Sequence, residues 1–372
     1  MRQLWRARCY DESDAACEGG CVGKRWPRDM LGDRGDSGKA PVREMGGLDM
    51  EPLVTVLTGV RNGERYIGLA VESMLGQTFR GFEYIIVDDC SNDGTAEILD
   101  RYSRLDSRVR VIHSVKRLGF GGTKNRGIEI ARGEYVALMD GDDVSRPERL
   151  ERQVQYMQAH PGCVILGTHY CLIDGDGAVL KQAVLPLDHA GIERELLRGI
   201  GTVIAQPSAM LRMSALRAIG GYREDVGCTD DLDVYLRLLG SGDFANLPDC
   251  LFDWRQHWSS HTALSDREKR REWLELRTRL VTEAARRRGL DPAGVILADF
   301  PLIESASQWH TDWAWALFNR GNVSLARKHA LRALVADMRR FDAWQVLLYS
   351  LLGRGAGDLA RRAYRRLFRR GK

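Results

Sequence analysis

Two short apolar runs end abruptly in carboxylates, and this limits the folds open to the chain. Phe82-Glu83-Tyr84-Ile85-Ile86-Val87 stops at Asp88-Asp89, and Tyr135-Val136-Ala137-Leu138-Met139 stops at Asp140-Gly141-Asp142-Asp143. Runs of this kind read as buried strands, which carry no carboxylate without a partner, so the acids belong at strand mouths. Asp140 and Asp142 are separated by one small residue, and both can turn toward a single point where a hard divalent cation takes oxygen ligands. Mg²⁺ or Mn²⁺ on one or two carboxylates usually completes its shell with substrate phosphates and water, which makes this spacing a nucleotide-diphosphate signal. Two other readings compete. A calcium loop needs a ligand and a glycine where Val144 and Ser145 stand. A plain polar loop would have Asp143 capping the helix that follows Pro147.

The flanking sequence alternates strand and helix. Leu53 to Thr58 is β-rich, and after a turn at Asn62-Gly63 the residues Tyr66, Leu69, Ala70, Ser73, Met74 and Leu75 repeat at helical spacing before the run at Phe82. Strand, helix, strand predicts a right-handed βαβ unit with a parallel sheet. A helix from Thr95 to Tyr102, a strand from Val109 to Ile112, a helix from Asn125 to Ala131 and the strand Tyr135 to Met139 continue the pattern. Open sheets of this kind bind ligands beyond the carboxyl ends of their strands, where Asp88, Asp89, Asp140 and Asp142 all fall. Gly119-Phe120-Gly121-Gly122 partly matches a dinucleotide fingerprint. However, Lys124 takes the third glycine's place, and the acid at Asp140 belongs to an Asp-x-Asp rather than standing alone.

With 372 residues, 44% hydrophobic and 28% charged, the chain has room for two domains. A net charge of +4 gives no support for a nucleic-acid footprint. No apolar run approaches the roughly 18 residues of a spanning helix and the N-terminus has no signal-type segment, so a soluble, cytoplasmic protein is expected. The eight cysteines (9, 17, 21, 90, 163, 171, 228 and 250) include no Cys-x-x-Cys pair, which leaves zinc poorly supported and reduced thiols expected. Residues 1–49 show no periodic apolar pattern and read as a disordered tail, with Met45 or Met50 as alternative starts. Residues 50–262 form the expected α/β domain and 263–372 a helical domain. Its helices are read at Arg267–Arg288, Trp309–Arg320, Ser324–Ala336, Ala343–Leu352 and Asp358–Arg370. Ala326, Ala330 and Ala333 after Gly321 suit a tetratricopeptide-like hairpin. The last helix, with Arg361, Arg362, Arg365, Arg366, Arg369 and Arg370, is either a solvated face or a peripheral contact with anionic lipid at the inner face of the membrane.

Several motifs in order carry a family likeness: Asn62-Gly63-Glu64-Arg65-Tyr66-Ile67, Ser73-Met74-Leu75-Gly76-Gln77-Thr78-Phe79, Ile86 through Thr95, Asn125-Arg126-Gly127-Ile128, Ala131 through Tyr135, Gly220-Gly221-Tyr222 and Asp230 through Leu238. From about Leu53 to His261 the chain closely resembles the inverting family 2 glycosyltransferases. The resemblance implies an α/β GT-A nucleotide-diphospho-sugar transferase fold, a Rossmann-like mixed sheet flanked by helices, here followed by the helical domain. It implies a metal-dependent enzyme that moves a sugar from a nucleotide diphosphate, most often UDP, to a hydroxyl of a glycan or lipid-linked acceptor in cell-surface polysaccharide assembly.

The implied roles fall on named residues. Asp88 and Asp89 would hold the base and ribose, or cap the turn through Ser91 and Asp93. The donor site would extend over Gly59, Arg61 and Glu64. Asp140 and Asp142 would hold Mn²⁺ or Mg²⁺ and the diphosphate, with Asp142 the better ligand and Asp143 flanking. Lys124 either faces the diphosphate or is a solvated helix-face lysine. In Phe252-Asp253-Trp254-Arg255-Gln256-His257, Arg255 would clamp phosphate, and His257 is either a third metal ligand or structural. Asp231 would be the base that takes the acceptor's proton, with Asp230 beside it one methylene shorter than the family's usual Glu; the bland alternative makes the acid pair a helix cap. Gln206-Pro207-Ser208 and Arg212 would line the acceptor side. The family often has Pro and Tyr where Gly59 and Arg61 stand, and these changes, with Asp230, favour the competing reading of a non-catalytic module that binds a nucleotide sugar or glycan.

Overall fold

The computed structural model describes residues 51–258, 267–291, 296–298, 303 and 305–352. The expectations for the N-terminal tail and for the basic helix Asp358–Arg370 lie outside these residues. Strand and helix alternate through β1 (Val54–Val60), α1 (Ile67–Leu75), β2 (Phe82–Asp88), α2 (Thr95–Leu105), β3 (Val109–His113), α3 (Gly119–Ile130) and β4 (Tyr135–Leu138). The two-residue β5 (Val144–Ser145) and α4 (Arg149–Ala159) lead to β6 (Cys163–Asp174), β7 (Val179–Ala183) and α5 (His189–Leu197). Then come β8 (Met210–Arg212), α6 (Met213–Ala218), α7 (Asp230–Leu238), β9 (Asp243–Gln256) and four helices, α8 (Arg267–Arg287), α9 (Ala306–Arg320), α10 (Val323–Ala336) and α11 (Phe341–Leu352).

The strands form one sheet in the order β3-β2-β1-β4-β8-β6-β9-β5, with β7 on β6. Its first half is parallel, as the sequence predicts: β1 pairs with both β2 and β4, and β2 with β3. Because β1, β2 and β4 are mutually parallel, their carboxyl ends open on one rim; the second half is mixed, with β8 antiparallel to β4 and β6, and β9 parallel to β6. Successive side chains of β2 go to opposite faces: Tyr84 and Ile86 pack with Ile67, Met74 and Leu99, and Ile85 and Val87 pack with Ile128, Leu216 and Leu238. Both faces are apolar because helices cover both, and each buried side chain contributes about 1.5–3 kcal/mol.

Helix α3 begins six residues earlier than its periodicity predicts, and it absorbs the glycines of the partial dinucleotide fingerprint. Gly119 has φ 75°, and a Cβ on Gly121 would lie 2.6 Å from the Arg223 carbonyl oxygen. These glycines let the first turn of α3 pack on the loop before α7. Leu280, Val281 and Ala284 of α8 belong to the core under α5 and α7, so this helix is continuous with the sheet's own packing. Helices α9–α11 bury a separate cluster, with Trp309, Trp313, Leu317, Phe318, Ala330 and Val346 around Leu180 of β7. No helix among the described residues is long and apolar enough to cross a membrane.

Candidate active site

The rim of β1 and β2 is built by carboxylates that hold loops. Asp88 accepts the Ser91 N–H at 3.1 Å and lies 2.9 Å from His113 Nδ1, whose other nitrogen is 3.1 Å from Asp100. Asp89, also buried, accepts N–H groups of Leu118 (2.6 Å) and Gly119 (3.2 Å) and the Arg117 Nε–H (3.0 Å). It thereby satisfies the free N–H groups at the start of α3, a cap supplied from another strand. Glu64 accepts the Gly94 N–H at 3.0 Å, and Arg61 is exposed on the same rim. Gly59 has a packing reason: a Cβ there would lie 2.5 Å from Thr123 Oγ1 on α3.

Beyond β4, one carboxylate oxygen from each of Asp140, Asp142 and Asp143 lies within 4.8 Å of the others. Two full charges at about 5 Å repel by about 3 kcal/mol at an effective dielectric of about 20. Burial, then Asp142, pushes the Asp140 carboxyl up to about 7, and the same two causes raise Asp143 well above the usual range. Asp143 Oδ2 is buried with no hydrogen-bond partner. An all-oxygen donor set with this much unbalanced negative charge fits a hard divalent cation such as Mg²⁺ or Mn²⁺.

The competing reading, in which Asp143 caps the helix after Pro147, is not what the structure shows. Helix α4 starts after Glu148 with no side-chain cap, and Asp143 Oδ1 instead accepts the Arg255 N–H at 2.7 Å. Arg255 is directed at carbonyls: its Nε donates to Asp142 O at 2.6 Å and its Nη1 to Asp174 O at 3.2 Å. It holds the acidic loop, where the sequence reading had it on phosphate. His257 Nε2 lies 2.9 Å from Asp142 Oδ2, so the structure brings this histidine to the cluster through Asp142.

Sequence reasoning missed Arg149. It is fully buried, donates to the Leu138 carbonyl at 2.8 Å and to Gln153 Oε1 at 3.1 Å, and puts a cation directly under the end of β4. The available signal was Gln153, a polar residue four positions on and within the apolar stripe of α4.

Near enough to act on Asp140, α7 opens with Asp230 and Asp231. Lys124 is neither solvated nor free for phosphate: its Nζ lies 2.6 Å from Asp230 Oδ2 and it sits over the Tyr222 ring. Asp230 is inside the first turn of α7, so the cap reading fails for it. Asp231 accepts the Leu232 N–H at 2.6 Å and is half-buried, and its Oδ2 would stand 2.9 Å from a Cβ on Gly201. Burial and then Asp230 push its carboxyl up to about 7. Gln206 reaches Asp230 at 3.5 Å, which keeps it at the site. Arg212 is not there. It pairs with Tyr135 at the opposite end of β4 and bonds Glu134, because β8 runs antiparallel to that strand.

The comparisons with known proteins agree with this architecture. The model of Glycosyl transferase family 2 matches residues 55–220, from β1 to the loop before α7. EpsE of Bacillus subtilis (strain 168), which carries a glycosyltransferase designation, is 31% identical over 264 residues, 69% of this chain and 91% of its own length. TuaG of the same organism, designated for teichuronic acid biosynthesis, is 30% identical over 228 residues, 61% of this chain and 88% of its own. Among solved structures, S. aureus TarS 1-349 in complex with UDP-GlcNAc superposes with a TM-score of 0.54 at 20% identity, covering 79% of this chain and 90% of that one. The fold is that of the GT-A glycosyltransferases, and the chain belongs to glycosyl transferase family 2.

Proposed function

We propose that this glycosyltransferase moves a sugar, with inversion, from a nucleotide diphosphate to a hydroxyl of a glycan or lipid-linked acceptor during polysaccharide assembly. The observation that carries the proposal is the nearness of the Asp140, Asp142 and Asp143 cluster to the acid pair of α7: the Lys124–Asp230 pair acts on both Asp140 and Asp231, and Asp140 acts on Asp231. UDP is the donor nucleotide to test first, since TarS is described with UDP and with UDP-GlcNAc, and the designation of TuaG points to polysaccharide synthesis.

Asp140, Asp142 and Asp143 would hold Mn²⁺ or Mg²⁺, which supplies charge stabilisation to the departing diphosphate. The chain's own residues do the rest. Asp231 takes the proton of the acceptor hydroxyl through the carboxylate oxygen that faces Gly201, while Oδ1 stays on the Leu232 N–H. The acceptor oxygen forms its bond to the anomeric carbon from the side opposite the nucleotide diphosphate, which leaves with the electron pair of the broken bond. Lys124 holds Asp230 in place, and Asp230 beside Asp231 makes Asp231 more basic. Asp88, Asp89, Glu64 and the exposed Arg61 frame the rim where the base and ribose would lie.

The deciding experiment is a donor screen with purified full-length protein, Mn²⁺ or Mg²⁺ and a panel of glycan and lipid-linked acceptors, following release of free nucleotide diphosphate. Acceptor-dependent release of UDP from a UDP-sugar is expected. Tight nucleotide-sugar binding without release from any donor would favour a binding module and sink the enzymatic reading.

A further inference from the structure

The turn between β6 and β7 joins the C-terminal helices to the acidic cluster. Asp174 closes β6 with a side chain that has no solvent exposure. Its Oδ1 accepts the N–H groups of Asp176 and Ala178, both at 2.9 Å, and so sets the shape of the turn. Its Oδ2 faces α10: Lys328 Nζ lies at 2.5 Å, His329 Nε2 at 3.5 Å and Arg332 Nη1 at 3.6 Å. Lys328 and Arg332 also reach Asp176, at 2.7 and 2.6 Å. A buried carboxylate is tolerated only with such partners, so α10 supplies what this turn needs to hold its position.

The other side of the turn faces the site. The Asp174 and Gly175 carbonyls accept Arg255 Nη1 at 3.2 and 3.4 Å, and the Gly175 carbonyl also accepts the Tyr66 hydroxyl at 3.2 Å. The Arg255 guanidinium lies 4.6 Å from the centre of the Tyr66 ring, which in turn lies 5.5 Å from the His257 ring. From this stack, three contacts reach the cluster: Arg255 N–H to Asp143, Arg255 Nε to the Asp142 carbonyl, and His257 to the Asp142 carboxylate.

We infer that Lys328 is a positioning residue for the cation-binding carboxylates, acting from α10 through the Asp174–Gly175 turn and Arg255 on Asp142 and Asp143. This rests on the proposed cation site for its consequence, though not for the coupling itself. On this inference the C-terminal helices are a structural part of the donor site.

The test uses full-length Lys328→Met and Lys328→Arg proteins. The first removes the cation nearest Asp174 and leaves Arg332, and the second keeps a cation at position 328. Hydrogen exchange of metal-free protein is followed in peptides covering residues 140–146 and 253–257, where the Arg255 amide reports directly on its bond to Asp143. Mn²⁺ binding is titrated separately by electron paramagnetic resonance with the metal alone. Lys328→Met should speed exchange in both segments about fivefold or more and weaken Mn²⁺ binding about tenfold, and Lys328→Arg should restore most of both. Wild-type exchange and Mn²⁺ affinity in a folded Lys328→Met protein would overturn the inference. If Lys328→Met does not fold, Asp176→Asn decides in its place, since Asp176 is 44% exposed and bridges Lys328 and Arg332. The same direction with a smaller size supports the coupling, and no change overturns it. Wild-type protein that binds no Mn²⁺ would remove the cation reading alone, and the exchange rates would still decide whether α10 governs the loop.

Discussion

A carboxylate works as a general base only if it takes a proton readily and a substantial share of it is unprotonated at working pH, and an acid held near 7 meets both conditions. Asp231 is such an acid, because burial and Asp230 raise it to about 7. The rate should therefore rise with pH through about 7 as Asp231 loses its proton. Asp231→Asn should bind donor normally, lose that pH limb and turn over about 100-fold more slowly; a wild-type rate would leave Asp231 as a helix residue only. Gly201 offers a gentler probe. A methyl at Gly201 would lie 2.9 Å from Asp231 Oδ2, so the base must move. A displacement of about 1 Å can cost about 100-fold, and Gly201→Ala should lower turnover about 10- to 100-fold with donor binding intact. Unchanged turnover would mean that the carboxylate yields at no cost. That Asp140, Asp142 and Asp231 stand at the ends of elements was legible in the sequence, because an apolar run carries no unpartnered carboxylate inside it. Gly201 and Arg149 were not, since their partners, Asp231 and the Leu138 carbonyl, are brought to them only by the folded sheet.

At the scale of elements, the parallel half of the sheet was readable because each strand is a short apolar run bounded by turn residues and each helix has one apolar stripe. The second half was not. β9 runs from Asp243 to Gln256 across Asn246-Leu247-Pro248-Asp249, residues that signal a turn, and it tolerates them through register shifts against β6 near His169. The helix pair α9 and α10 supplies its own test. His310 Nδ1 lies 3.1 Å from His329 Nδ1, and burial, with His329 second, lowers the His310 pKa to about 4. The unfolded chain therefore takes up a proton near pH 6.5 that the folded helix refuses, and stability is lost as pH falls from about 6.5 toward 4. Asp312 opposes this, because burial raises it to about 6 and favours the folded state as it protonates. Comparison with His310→Gln isolates the histidine: the melting temperature of the variant, followed by tryptophan fluorescence, should gain on wild type as pH falls through this window. Parallel curves would assign the acid sensitivity elsewhere.

For the whole molecule, the family motifs lie in one continuous stretch, and the family model ends at residue 220, before the acid pair of α7. The C-terminal helices had no such guide, because the ion pairs that fasten α10 to Asp174 and Asp176 form between distant segments and leave no local pattern. Their exposed faces are partly apolar, with Val335, Met338, Phe341 and Trp344 among the exposed large side chains near the α10–α11 turn. The sequence beyond the described residues adds six arginines between 361 and 370, with Tyr364, Leu367 and Phe368 among them. Each cation near an anionic lipid surface contributes about 1 kcal/mol, and the attraction decays over a Debye length of about 8–10 Å. Full-length protein should therefore sediment weakly with neutral vesicles, more strongly with phosphatidylserine-containing ones, and be released by high salt. A protein truncated before Asp358 should lose most of the anionic binding while keeping donor binding, since the clamp on Asp174 is left whole. A lipid-linked acceptor would then be met at the surface where it resides. Equal partitioning of the two proteins to anionic vesicles would reduce the arginine cluster to a solvated surface and leave acceptor capture to the residues around Asp231.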